Sequence, residues 1–250
     1  PAAIARDGYS ISIIDSTNNV CNGDSSGTAT ALAIGGTLSY TYTWNDPLAQ
    51  TTATADSLPA GTYTVVVTDS LGCMDSASVT ITEPAVFAAT ITDSSDINCK
   101  GDSSGYAVAT PTGGTSPYTY LWDDPNTQTD SLADGLTPGN YSVTVSDTNN
   151  CQGQLVLSVS IAEPTAVLSL STSTTQATCG LTNGTANVSA TGATPPYSFS
   201  WDTFPVQTDS TATGLAFGAY MVIVTDSLGC TDSATVIISN TGGLTVTITD

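Results

Sequence analysis

The chain has 250 residues, of which 22 are acidic and only Arg6 and Lys100 are basic; it has no histidine, and its net charge is −20. That balance opposes nucleic-acid binding and insertion at anionic membrane surfaces, which draw their affinity from Lys and Arg. Without histidine, the usual general base and the usual zinc ligand are both missing.

Taken in chain order, the first 80 residues alternate Thr, Val, Ile and Tyr runs with Gly, Asn, Asp and Pro clusters, the signature of strands and turns. Strands are predicted at 9–15 (YSISIID), 28–34 (TATALAI), 40–44 (YTYTW), 51–57 (TTATADS), 62–69 (TYTVVVTD) and 76–82 (SASVTIT). In TYTVVVTD, Tyr63, Val65 and Val67 share one face, a period of two. No stretch has a helical period, and none is apolar for the 18 residues a membrane helix needs. Six or seven short strands in under 80 residues predict an all-β immunoglobulin-like sandwich.

The pattern then recurs. TDSLGC occurs at Thr68 and again at Thr225, with a looser copy, SDTNNC, between them at Ser146. Trp44, Trp122 and Trp201 keep the same step, as do Tyr63, Tyr141 and Tyr220. A fixed period overrides the usual length-based domain count. It divides the chain into three tandem sandwiches at 1–84, 85–164 and 165–243, with residues 244–250 (LTVTITD) expected to open a further copy. The 250 residues are thus expected to be part of a longer array, and PAAIARDGYS at the start lacks the apolar core of a signal peptide. Glu–Pro stands at the first two junctions (81–86, 161–167) and Gly242–Gly243 at the third. Proline stiffens a linker, so an extended, semi-rigid rod is expected.

Each tyrosine follows a turn glycine by two residues, in the manner of a tyrosine corner, whose phenol bonds back to the corner backbone. Each tryptophan ends a strand and is expected to cover the core rather than serve as a ligand platform.

Each copy carries two cysteines on a fixed register: Cys21 and Cys73, Cys99 and Cys151, Cys179 and Cys230. An even count in a small all-β unit, with no CxxC pair, reads as disulfides formed in an oxidising compartment. Pairing within a copy needs no neighbour, leaves no cysteine over and is expected to stabilise each unit by ~4 kcal/mol. The geometry leaves an alternative: with seven strands per copy the two cysteine loops fall at opposite ends, and Cys21 could reach Cys151 of the next copy.

No catalytic constellation stands out. Glu83 and Glu163 sit at linkers, and the pair Asp123–Asp124 lacks an evident counterpart elsewhere. No cofactor is called for. Calcium is the one ion the acidic loops could hold, with Asp24, Asp69, Asp102, Asp147 and Asp226 as candidates. The competing role for these aspartates is to cap turns by accepting backbone N–H bonds.

The order C-x-G-D-S-S-G, G-G-T-x-x-Y-x-Y-x-W, G-x-Y-x-V-x-V-x-D, G-C and a closing E-P runs here through Cys21, Gly27, Gly35, Trp44, Tyr63, Asp69, Cys73, Glu83 and Pro84. It resembles the SprB-type repeat of large surface adhesins of gliding and other Bacteroidetes. The third copy departs most, reading CGLTNG for CNGDSSG and lacking Glu–Pro. The resemblance implies a non-enzymatic extracellular module, exported through the type IX system, forming part of a stalk, adhesin or filament. Its partners would be neighbouring repeats, other copies in a fibre, or an unidentified surface or glycan; a calcium-dependent or carbohydrate-binding adhesion repeat is the alternative. The same lineage implies O-glycosylation at Asp–Ser motifs, here at Ser16, Ser57, Ser70, Ser76, Ser131, Ser210, Ser227 and Ser233.

Overall fold

The computed structural model describes residues 8–241. The first repeat contains β1 (Ser10–Thr17), β2 (Gly27–Ile34), β3 (Thr41–Trp44), β4 (Thr54–Leu58), β5 (Gly61–Thr68) and β6 (Met74–Ile81). Each of the six predicted strands is present, shifted at its ends by no more than a few residues. They form two three-stranded sheets, β1-β2-β4 and β3-β5-β6, with Ser10 opposite Ile34 and Trp44 opposite Val65.

The second repeat has β7 (Ala88–Ser95), β8 (Gly105–Thr112), β9 (Thr119–Trp122), β10 (Leu132–Leu136), β11 (Gly139–Ser146) and β12 (Leu155–Ile161). The third has β13 (Ser169–Thr175), β14 (Ala177–Thr178), β15 (Gly184–Thr191), β16 (Ser198–Trp201), β17 (Thr211–Leu215), β18 (Gly218–Thr225), β19 (Thr231–Ile238) and β20 (Asn240–Thr241). Both repeat the first topology, and the third adds a short parallel pair, β14-β20. Residues 244–250, expected to open a further copy, and Gly242–Gly243 lie outside the described residues.

By packing, the residues gather into two compact units. One takes in the chain up to Thr92 with Val108–Ser131 and Ser142–Ser158, the other Asp93–Ala107, Leu132–Tyr141 and the chain from Val159. The first repeat lies wholly in one unit and residues 165–241 in the other, while the middle repeat contributes to both.

In the first repeat the core gathers Ala29, Ala31, Trp44, Ala55, Leu58, Tyr63, Val65, Val67 and Ile81. The third repeats it with Ala186, Val188, Trp201, Ala212, Leu215, Val222, Val224, Val236 and Ile238. The three tryptophans are at most 2% exposed, and their indole N–H groups bond the carbonyls of Thr52, Asp130 and Asp209 at 2.9–3.0 Å. They are packing residues, as expected. The tyrosine corners are also present: Tyr63, Tyr141 and Tyr220 donate to the carbonyls of Pro59, Thr137 and Ala216, four residues upstream. Outward faces carry paired hydroxyls across strands, such as Thr62 with Thr80 and Thr64 with Ser78, a cross-strand pairing worth a few tenths of a kcal/mol or more each, about 0.2–1.

The first residue of β2, β8 and β15 is glycine for want of space. A Cβ on Gly105 would lie 2.6 Å from the Ile161 side chain and 2.9 Å from the Leu136 carbonyl, and Gly27 and Gly184 are as crowded. Gly105→Ala should therefore cost about 1–3 kcal/mol by overpacking. A thermal melt reads this directly; an unchanged midpoint would mean the strands part easily there.

Candidate functional site

The features of greatest chemical consequence lie at the two ends of each repeat. The strands decide which residues meet there. β2 is antiparallel to both β1 and β4, and β5 to both β3 and β6. Between β3 and β4, residues 45–53 form an extra pass without strand structure, held by Gln50 C=O to Trp44 N–H and Ala53 C=O to Ala31 N–H. In consequence β1 and β6 run the same way. Near their starts Ile11 N–H bonds Asp75 Oδ2 (3.1 Å); at their finishes Asn19 N–H bonds the Thr82 carbonyl (2.9 Å). Cys21 follows β1 and lies at the finishing end, whereas Cys73 precedes β6 and lies at the starting end.

The disulfides accordingly join consecutive repeats. Cys21 bridges Cys151 and Cys99 bridges Cys230, with Cα–Cα distances of 5.4 and 5.6 Å. Cys73 and Cys179 are free and exposed. This corrects the expected pairs Cys21–Cys73, Cys99–Cys151 and Cys179–Cys230: the partners within a repeat stand at opposite ends of its sandwich. It also corrects the strand argument. Six strands suffice, because the irregular pass 45–53 does the work of the seventh.

The junction glutamates hold the first-cysteine loops. Glu83 accepts the Gly23 N–H (2.7 Å) and an Asn22 side-chain N–H (3.0 Å). Glu163 accepts the Gly101 N–H (2.9 Å) and lies 3.8 Å from Lys100 Nζ. Lys100 also donates to the Thr165 carbonyl (2.9 Å). The Glu–Pro motif thus fixes the loop that offers its cysteine to the next repeat. The third repeat lacks it and uses backbone pairing of β14 with β20 instead.

The second cysteines are presented by aspartate-capped turns. Asp69 accepts the N–H groups of Leu71 and Cys73 at 2.9 Å and of Thr37 at 3.0 Å. Asp147 accepts those of Cys151 (2.7 Å) and Thr115 (2.9 Å). Asp226 accepts those of Cys230 (2.8 Å), Leu228 and Thr194 (both 3.0 Å). All three aspartates are buried, with both carboxylate oxygens taken by backbone donors, which is the turn-capping role. Asp24 accepts the neighbouring Ser25 N–H, and Asp102 is exposed. Among the described residues no three His, Cys, Asp or Glu side chains group as a metal site. The calcium candidates are therefore not gathered around a common point.

Backbone N–H donors from Thr37 and Cys73 hold the Asp69 carboxyl below its usual 3.8. At Asp226 burial alone would raise it, and the bonds from Thr194, Cys230 and Leu228 more than offset this. A carboxylate whose folded pKa is lowered contributes stability that is complete above the unfolded value and lost as pH falls through the folded one. Asp226→Asn should accordingly destabilise the chain at neutral pH, and the gap to the parent should close below about pH 4. Paired thermal melts across pH test this; a gap independent of pH would contradict it.

A second set of caps went unread in the sequence. Asp46 accepts the N–H groups of Leu48 and Gln50 (3.0, 2.8 Å), and Asp124 those of Asn126 and Gln128 (both 2.9 Å). Asp124 therefore does have a counterpart, and in the third repeat Thr203 takes the place by accepting the Gln207 N–H. The step of 78 and 79 residues was the available signal. A cleft of about 510 Å³ borders the Cys99–Cys230 bridge, with Lys100, Asp102 and Asp232 on its walls. All eight candidate glycosylation serines are exposed.

Fold and bridges together define tandem immunoglobulin-like β-sandwich repeats joined by disulfides. The family model described as SprB repeat matches the chain three times, at residues 13–49, 91–127 and 171–204. Among solved structures it is similar to the three N-terminal domains of the Highly Immunogenic Outer Capsid protein (Hoc) of bacteriophage RB49. That likeness has 16% identity, covers 94% of this chain and 100% of the other, and has a TM-score of 0.53. Weaker likenesses extend to the N-terminal eight Ig domains of Down Syndrome Cell Adhesion Molecule (11% identity, 93% and 36% covered, TM-score 0.37) and to domains 4–9 of surface layer protein SbsC (13%, 93% and 47%, 0.31). No curated protein matches the chain.

Proposed function

We propose that the chain is a segment of a long cell-surface stalk or adhesin of a Bacteroidetes-type bacterium, exported by the type IX system. Its role is structural and adhesive, not catalytic. The observation that supports this reading best is the covalent bridge from each repeat to the next, which suits a module whose task is to transmit length and tension outside the cell. The buried carboxylates at the cysteine turns are engaged by backbone donors and hold loops in place. Neighbouring repeats are the first partners, and a surface or glycan lies at the far end of the stalk.

Immunogold electron microscopy of cells displaying the chain tests the proposal. Label is expected well outside the outer membrane, and deletion of the gene is expected to reduce attachment. Label confined to the periplasm, or attachment that survives deletion, would sink it. Glycans at the exposed Asp–Ser serines would raise the masses of the native peptides that carry them above the bare-sequence values. Native peptides found only at their bare-sequence masses remove that part of the reading.

A further inference from the structure

Tyr9, Phe87 and Leu168 each stand just before the first strand of a repeat. In the first two repeats this residue is an aromatic ring set against a second one. Tyr9 meets Tyr40 and Phe87 meets Tyr118, at centroid distances of 6.2 and 6.0 Å. A glycine lies beside each ring: a Cβ on Gly36 would come within 2.8 Å of Tyr9 Cδ2, and one on Gly114 within 3.0 Å of Phe87 Cδ2. The same Cβ on Gly114 would meet the Asp147 carboxylate at 2.8 Å, which holds the Cys151 N–H. The Phe87 ring is therefore packed in at the turn that carries Cys151.

The third repeat changes ring and glycine together. Leu168 replaces the ring, and Ala193 takes the place of the glycine, although its φ of 47° is one that glycine adopts more readily. Tyr197 still bonds the Gly192 carbonyl, as Tyr118 bonds that of Gly113. The frame is the same and its filling is smaller. The cleft of about 510 Å³ lies at this spot: Val167, Leu168 and Ala193 line it, and both Cys99 and Cys230 face it. All of these residues belong to one compact unit. Lys100, the only basic side chain among the described residues, stands on the wall next to Cys99, where the first bridge has Asn22 next to Cys21. A nearby ammonium favours a thiolate, and a thiol of lower pKa departs faster in exchange.

We infer that the Cys99–Cys230 bridge is a reactive site for low-molecular-weight thiols, which reach its sulfurs through this cleft and open it while the Cys21–Cys151 bridge stays closed. A thiolate attacks Cys230 Sγ, the Sγ–Sγ bond breaks, and Cys99 departs as a thiolate that takes up a proton. A second small thiol then attacks the mixed disulfide. Cys230 is released as a thiol, with the Asn98 carbonyl 3.3 Å from its sulfur as an acceptor. The two small thiols leave joined as one disulfide, oxidised as the bridge is reduced. Asp102 and Asp232 on the cleft walls favour neutral or cationic thiols over anionic ones. The inference stands on the cleft and does not need the stalk reading.

The test uses the full chain with Cys73 and Cys179 first blocked by iodoacetamide. Dithiothreitol, a small neutral dithiol, is added for graded times; freed thiols are trapped with isotope-labelled iodoacetamide and mapped by mass spectrometry. Label is expected at Cys99 and Cys230 about tenfold sooner than at Cys21 and Cys151, because access governs exchange rates. Equal rates, or earlier label at Cys21 and Cys151, would overturn the inference. The double variant Leu168→Phe, Ala193→Gly restores the ring and glycine of the second repeat, and is expected to remove most of that difference. A variant that melts like the parent yet keeps the full difference would refute the cleft as the route. Reduced thioredoxin, a dithiol too large for the cleft, gives the same decision on the parent chain: it is expected to show no preference for Cys99–Cys230, and a preference as large as that of dithiothreitol counts against the inference.

Discussion

Cys151→Ser is expected to lower the melting temperature by about 10–20 °C, because opening a loop of 130 residues forfeits about 5 kcal/mol in the chain-entropy model. Cys21→Ser should do the same, and the double variant should add little, since both remove one bond. Cys73→Ser and Cys179→Ser should change stability by no more than about 0.5 kcal/mol, as exposed positions without partners generally do. This set also tests the connectivity. Were the bridges formed within repeats, Cys73→Ser would cost as much as Cys21→Ser and Cys151→Ser would leave Cys21 unaffected. Non-reducing peptide mapping of the parent chain should recover Cys21 with Cys151 and Cys99 with Cys230.

The second large effect is expected at the tryptophans. Trp201 is 1% exposed, its ring lies in the third-repeat core, and its N–H bonds the Asp209 carbonyl at 2.9 Å. Trp201→Ala removes that volume from a small core and should cost about 3–5 kcal/mol. Small domains have few kcal/mol in reserve, so the third repeat should unfold at much lower denaturant while Trp44 and Trp122 still report an intact first and second repeat. Equilibrium unfolding followed by fluorescence separates these phases. A single transition shared by all three repeats, shifted as one, would show that their stabilities are not separate.

Much of this architecture was legible because it repeats. One misread residue in a single domain is noise, but a tryptophan, a tyrosine and a cysteine returning on the same step fix strand order and core position together. The tyrosine corners could be read from the Gly-x-Tyr spacing alone. What stayed hidden depended on contacts distant in sequence. In β2 the period of two is plain, yet Ala29, Ala31 and Ala33 face inward while Leu32 and Ile34 are 41% and 56% exposed. Hydrophobicity alone would suggest the reverse. The inward face must be small because Trp44 fills the space against it.

The cysteine pairing failed for a related reason. Residues 45–53 look like loop and strand by composition, but they carry the chain back along the sandwich without forming a ladder. That uncounted pass reverses the end at which Cys73 emerges. The turn-capping aspartates were recognised as one of two readings of Asp69, Asp147 and Asp226. Asp46 and Asp124 were missed because one repeat has Asn45 before the cap, the next has Asp123, and the third replaces the cap itself with Thr203.

The two bridges interlace, since Cys99 lies inside the loop closed by Cys21 and Cys151. Were the chain seized at both ends and drawn out, tension would enter at Cys21, cross to Cys151, travel backward to Cys99 and leave from Cys230. Most of the contour would hang slack beside that route. An oxidised chain therefore yields only a fraction of its stretched length even when every sandwich has melted, and a protease cut between Cys21 and Cys99 leaves the pieces tethered.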